Sequence, residues 1–140
     1  MHHEIECIWK EGMHFDGQVM GHVIPLDDIH ADGTPAAGPS PKRLLLLSLA
    51  GCTGMDVVSM LAKMRVPLTG FRLKVIADGT ETHPKVYTDV IIQYIFKGEN
   101  IEAYKEQIQK AITLSQEKYC GVTAMLSKAM KINTEIHIEP

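Results

Sequence analysis

No CxxC pair and no tight cluster of cysteine with histidine occurs in these 140 residues. A structural zinc site is not expected, because its ligands usually come at such short spacings. Three cysteines, an odd and small number, also argue against a disulfide framework. Positive charge is in deficit, with a net charge of −3, so the basic stripe of a nucleic-acid binder is missing. Aromatic residues make up only 6%, too few for platforms that stack bases. The opening MHHEIECIWK has neither the basic segment nor the apolar core of a secretory signal. His2 and His3 read as ragged terminal residues, and the cytoplasm is the expected compartment.

Hydrophobic residues reach 45% against 22% charged, an ordinary globular balance. The length suits a single domain, residues 1–140, around one core. Ile5, Cys7 and Trp9 alternate with Glu4, Glu6 and Lys10. That spacing predicts a half-buried strand with Cys7 inward as a small core residue. "EGMHFDGQ" carries turn residues and a reversal, and "QVMGHVIPL" reads as one further strand ending near Pro25. "DDIHADGTPAAGPSP" is a loop, long for a compact domain, and loops of that length are often functional.

Ser40 followed by Pro41 marks a helix start, and the pattern predicts a helix from Pro41 to about Met64. The apolar run Leu44–Ala62 has the length of a transmembrane segment. Asp56 lies inside it, and an acid near a bilayer centre costs roughly 2.5–3.5 kcal/mol. A core helix, with no membrane partner, is the better reading. Its apolar residues go all the way round, so it calls for burial against another helix or a second subunit. Gly51 and Gly54 would allow close backbone approach, and Pro67 and Gly70 end the segment.

"FRLKVIADG" and "KVYTDVIIQYIFKG" alternate as two strands, the second with Val86, Thr88, Val90, Ile92, Tyr94 and Phe96 on one face. Asn100 is placed to cap a helix with Ile101, Tyr104, Ile108, Ala111 and Ile112 inward. "SQEKY" interrupts that pattern. A shorter helix with Val122, Met125, Leu126 and Ala129 follows, then a strand with Ile132, Ile136 and Ile138. The order β, β, long helix, β, β, helix, short helix, β predicts an α+β fold with an antiparallel sheet around the long apolar helix.

Cys52 sits mid-helix in apolar surroundings, which disfavour its thiolate. Cys120 falls at the start of the short helix, where the helix dipole favours an anion and should lower its pKa. Asp56, four residues after Cys52 and on the same side, suits a structural hydrogen bond or a subunit contact better than a general base. From periodicity alone, two core thiols and one redox pair both remain open.

"GPSPKRLLLLSLAGCTGMDVV", then "THPKVYTDVIIQYIFKG" and "LSQEKYCGV", resemble the OsmC/Ohr family of osmotically inducible and organic hydroperoxide resistance proteins. The resemblance runs from about Gly38 to the C-terminus. It implies an intertwined homodimer whose cysteine helices are wrapped by sheets of both chains. It also implies a thiol-dependent peroxidase that needs no cofactor and no metal. Cys52 matches the peroxidatic position and Cys120 the resolving one. The implied partners are an organic hydroperoxide and a dithiol reductant. A dimeric redox-sensing or ligand-binding protein with little turnover is the alternative.

Peroxidases of that family use an arginine from the N-terminal sheet region to activate the thiolate, held by a glutamate near the start of the cysteine helix. Here no arginine precedes Arg43, and Lys42 or Arg43 stands where the glutamate would fall. Arg43 lies about 13 Å before Cys52 along a helix axis, too far for contact within one helix. His14, His22 and His83 are further candidates for assisting a thiolate, with structural roles as the default reading.

Overall fold

The computed structural model describes residues 1–140, and the chain divides into two compact units, Met1–Leu45 and Leu46–Pro140. The first unit holds an antiparallel sheet in the order β1 (Glu6–Glu11), β2 (His14–Val19), β3 (His22–Leu26). The single strand expected over "QVMGHVIPL" is two. Met20 and Gly21 have φ of 52° and 79° and fold β2 back on β3. This is the two-residue hairpin turn with left-handed backbone at both positions. Methionine rarely accepts that conformation, so only the glycine hinted at it. Pro25 is tolerated inside β3 because that strand is a sheet edge. Strand β1 is exposed along its whole length, Cys7 included, which overturns the core reading of that cysteine. Alternation reports a face that can be covered, and nothing in this unit covers it.

The loop after β3 is organised by one buried acid. The Asp27 carboxylate accepts the backbone N–H groups of Asp28 and Ala37, each at 2.8 Å, and pairs with His30 Nε2 at 3.0 Å. Its own N–H donates to Pro39 O at 3.1 Å. These hydrogen bonds hold its pKa below the ordinary carboxylate value, the Ala37 N–H contributing most. At Gly38 any side chain would collide with the carbonyl of Pro25, so the loop can close there only on glycine.

Helix α1 (Pro41–Lys63) begins and ends where the sequence pattern places it. By length and hydropathy alone it could cross a membrane. Within the second unit it buries a stripe at helical spacing, Leu49, Thr53, Val57 and Leu61, each fully buried apolar side chain contributing about 1.5–3 kcal/mol. Gly54 lets this stripe close on the sheet, since a Cβ there would lie 3.0 Å from Leu73 Cδ1. Other apolar residues of the helix stay uncovered: Leu47 is 65% exposed, Met55 73% and Val58 46%.

The second unit's sheet has the order β4 (Gly70–Gly79), β5 (Tyr87–Lys97), β6 (Lys131–Glu139). Val90, Ile92, Tyr94 and Phe96 of β5 are buried, as expected, and Phe96 stacks on Phe71 at 4.7 Å. Val86 and Thr88, expected on the same face, are exposed: Val86 lies before the strand, and the core does not cover Thr88 near its start. The α+β class holds, and three of the four strand pairings are antiparallel. Strand β6 runs parallel to β5, because the connection between them is a helical crossover rather than a hairpin. That crossover carries a 3-10 turn (Ile101–Tyr104), α2 (Lys105–Leu114), a π turn (Ser115–Tyr119) and α3 (Gly121–Leu126). Ile108, Ala111 and Ile112 are buried there. Asn100 makes no side-chain cap; it supplies a left-handed φ of 57° before the 3-10 turn, a conformation asparagine accepts more readily than most residues.

Candidate active site

Both family-matched cysteines lie in the second unit and the fold brings them together. Helix α1 carries Cys52, half-buried, and the π turn delivers Cys120, which is 3% exposed. The Cys52 thiol lies close enough to the Cys120 thiol to act on its ionisation, and both are free.

The wide turn sets this approach. "SQEKY" breaks the apolar period of α2, and the backbone there widens to five residues per hydrogen-bonded loop, Cys120 N donating to Ser115 O at 2.7 Å. Such π turns are rare and often mark functional sites. Cys120 then takes an extended backbone and caps α3, its Sγ accepting the Thr123 N–H at 3.4 Å. The position at the helix start is the expected one, but the expected lowering of its pKa is not found. Burial pushes the Cys120 thiol up, and the neighbouring Cys52 thiol adds to the rise. The Thr123 hydroxyl and N–H oppose it without reversing it. A six-residue helix offers little dipole against desolvation on this scale.

Around the thiols runs a buried polar network that the sequence pattern did not disclose. Thr53 Oγ1 lies 2.7 Å from the Tyr94 hydroxyl and 2.8 Å from Ser115 Oγ. Ser115 Oγ donates to Asp56 Oδ2 at 2.9 Å. Gln116 Nε2 donates to both Thr53 Oγ1 and the Tyr94 oxygen at 3.1 Å, while its Oε1 accepts from Thr123 Oγ1 at 3.3 Å. Thr53, Tyr94 and Ser115 are fully buried, yet no buried side-chain polar atom lacks a partner. Asp56 thus has the structural hydrogen bond expected of it. Burial raises the Tyr94 hydroxyl to about 12, so it remains a donor at neutral pH. Thr53, Ser115, Gln116 and Thr123 could not be picked out as site residues: polar residues at these positions carry no periodic signal until the fold joins them.

The other candidates have surroundings of their own. Arg43 Nη1 donates to Ser40 Oγ at 2.6 Å. His14 pairs with Asp16 on β2 at 2.8 Å. His22 is exposed on β3, and His83 is exposed in the β4–β5 connection. A hollow of about 650 Å³ opens beside Asp56, lined by Met55, Met60, Lys63, Lys110 and Tyr119 among others, but neither thiol lines it.

A family model described as OsmC-like protein matches residues 32–135, a span that contains both thiols and the whole polar network. The chain is 34% identical over 125 residues to Protein YhfA of Escherichia coli K12, covering 89% of each protein. An OsmC-like protein from Mycoplasma pneumoniae shares the fold at a TM-score of 0.81 and 16% identity, covering 100% of this chain and 99% of that one. The organic hydroperoxide resistance protein OhrB of Bacillus subtilis superposes at a TM-score of 0.63 and 12% identity, covering 95% and 96%.

Proposed function

The chain belongs to the OsmC-like protein family, and on that premise we propose that it is a thiol-dependent peroxidase for organic hydroperoxides. The observation that carries this reading is the approach of the Cys52 and Cys120 thiols, close enough for one to act on the ionisation of the other, inside the family-matched span. The substrate class comes from the hydroperoxide resistance named for the Bacillus relative.

The Cys52 thiolate attacks the distal oxygen of the hydroperoxide. The O–O bond breaks, the alkoxide takes a proton and leaves as the alcohol, and Cys52 becomes a sulfenic acid. Cys120 sulfur then attacks Cys52 sulfur. The S–O bond breaks, the departing hydroxide takes the Cys120 proton, and water leaves behind a disulfide. A dithiol reductant reopens it by exchange, becoming a disulfide itself and restoring both thiols. One hydroperoxide and two cysteine thiols give one alcohol, one water and one disulfide. No cofactor enters. A second copy of the chain is the natural cover for the exposed apolar residues of α1, Leu47, Met55 and Val58.

Turnover of cumene hydroperoxide with dithiothreitol tests the proposal. Wild type should turn over, Cys52→Ser should fall to background, and Cys120→Ser should accumulate a sulfenic acid instead of a disulfide. A wild type inert with every dithiol, or a Cys52→Ser variant as active as wild type, refutes it. The rise of the Cys120 pKa, together with the lack of any arginine before Arg43, favours one second reading. In that reading the pair is a slow redox sensor, recognised by a Cys52–Cys120 disulfide that forms under peroxide without catalytic turnover.

A further inference from the structure

The polar network around Cys120 has a fixed direction, and it ends on the reacting sulfur. Each hydroxyl has one hydrogen to give. The Asp56 carboxylate can only accept, so the Ser115 hydrogen points to it. Ser115 Oγ must then accept from Thr53, and Thr53, its hydrogen spent, must accept from Tyr94. No hydrogen is left for a carbonyl facing Thr53 and Tyr94. Gln116 therefore turns its amide Nε2 to those oxygens, and its Oε1 faces Thr123. The Thr123 hydrogen lies on Gln116 Oε1, and its oxygen lone pairs are left for the Cys120 thiol, which the Thr123 backbone N–H reaches at 3.4 Å and whose ionisation the Thr123 side chain also influences. Each orientation follows from the one before it.

We propose that Thr123 is a catalytic residue that governs ionisation of the Cys120 thiol, and that Gln116 is a positioning residue that restrains the Thr123 hydroxyl until the thiol loses its proton. Naming this ionisation a part of disulfide formation rests on the peroxidase reading. While the thiol is protonated it donates to Thr123 Oγ1. When Cys120 attacks the Cys52 sulfenic acid, its proton passes to the departing oxygen as the S–S bond forms and the S–O bond breaks. The Thr123 hydroxyl then turns from Gln116 Oε1 to the sulfur during the attack, adding an O–H donor to the N–H that already points there at 3.4 Å. The network orders hydrogens and conducts none, since an amide is a poor proton carrier. The titratable groups acting on Cys120 are Cys52 from α1 and Tyr94 from β5, with Asp56 from α1 acting on Tyr94. No cation is among these main influences, and the Thr123 side chain and N–H are the contacts that favour this thiolate.

The experiment is the pH dependence of Cys120 alkylation by iodoacetamide in the reduced full-length protein, resolved by peptide mass spectrometry. It needs neither peroxide nor turnover, so its outcome is independent of the peroxidase test. Thr123→Val should slow alkylation at pH 8 roughly tenfold, the scale of one hydrogen bond to a charged group, and Thr123→Ser should restore it. Gln116→Met, which frees the Thr123 hydroxyl, should speed alkylation and move the midpoint down. Both variants shifting the rate in the same direction, or Thr123→Ser failing to rescue, overturns the proposal. Matching thermal midpoints for Thr123→Val and Thr123→Ser separate the effect from a folding defect.

Discussion

Ser115→Ala and Tyr94→Phe each delete one oxygen from a fully buried side chain, yet the hydrogen order around Thr53 gives them unequal costs. Tyr94 donates to Thr53 and accepts from Gln116. Without its oxygen, Thr53 still accepts from Gln116 and still donates to Ser115, so no buried donor is stranded. The cost is that of one net hydrogen bond, about 1 kcal/mol. Ser115 is different. It takes the only hydrogen of Thr53 and gives its own to Asp56. Its loss strands the Thr53 hydroxyl, and turning that hydroxyl toward Tyr94 merely moves the unpaired hydrogen onto the tyrosine. It also removes a donor from a carboxylate. A stranded buried donor costs about 1–3 kcal/mol and a hydrogen bond to a charged group is worth about 1.5–3. With partial overlap, about 3 kcal/mol is expected. At about 4 °C per kcal/mol for a chain of this size, Tyr94→Phe should lower Tm by about 4 °C and Ser115→Ala by about 12 °C. Calorimetry and urea titration at one protein concentration would measure both, with the urea slope m unchanged. A Tyr94→Phe variant that loses as much stability as Ser115→Ala would refute the hydrogen order.

Alkaline stability offers a second check. Tyr94 ionises near 12 in the fold and near 10 when unfolded. The fold therefore favours the neutral phenol: its stability is complete below pH 10 and declines from 10 to 12 as the unfolded chain ionises first. The raised Cys120 thiol pushes in the same direction. Urea midpoints should fall between pH 10 and 12 in wild type and fall less in Tyr94→Phe; equal slopes would contradict the burial of that hydroxyl. In the first unit, Asp27→Ala removes the acceptor shared by Asp28, Ala37 and His30. Limited proteolysis should then cut within residues 28–37 faster than in wild type, and unchanged cleavage would show that the loop holds itself without Asp27.

Periodicity carries far in this chain where one face meets a continuous core. The β5 face from Val90 to Phe96 and the wet side of the crossover (Glu102, Lys105, Glu106, Gln109 and Lys110) are as the spacing predicts. It fails where a local backbone choice decides. The turn at Met20 depends on a φ that methionine seldom takes, and Asn100 contributes its backbone rather than its side chain. The parallel placement of β6 is a matter of chain path, and hydropathy is silent on it. At the site, the resemblance supplied the two cysteines, and geometry supplied their surroundings. Gln116 looked like part of an interruption between helices. It instead joins Thr123 of α3 to Thr53 of α1 and Tyr94 of β5, and its bonds to Thr53 and Tyr94 cross sequence separations that no local window spans.

The five-residue turn Ser115–Tyr119 makes the meeting of the thiols a matter of counting. Consecutive residues of an α-helix point about 100° apart, but Ser115 and Gln116 both reach Thr53. Losing three bases from the corresponding stretch of the gene would tighten the turn by one residue. Everything after it would swing by about 100°, and Cys120 would leave Cys52 with neither cysteine altered. Across descendants of such a gene, a one-residue change in length here would retire the thiol pair as thoroughly as mutating either cysteine, while leaving both of them in place to mislead a reader of the sequence.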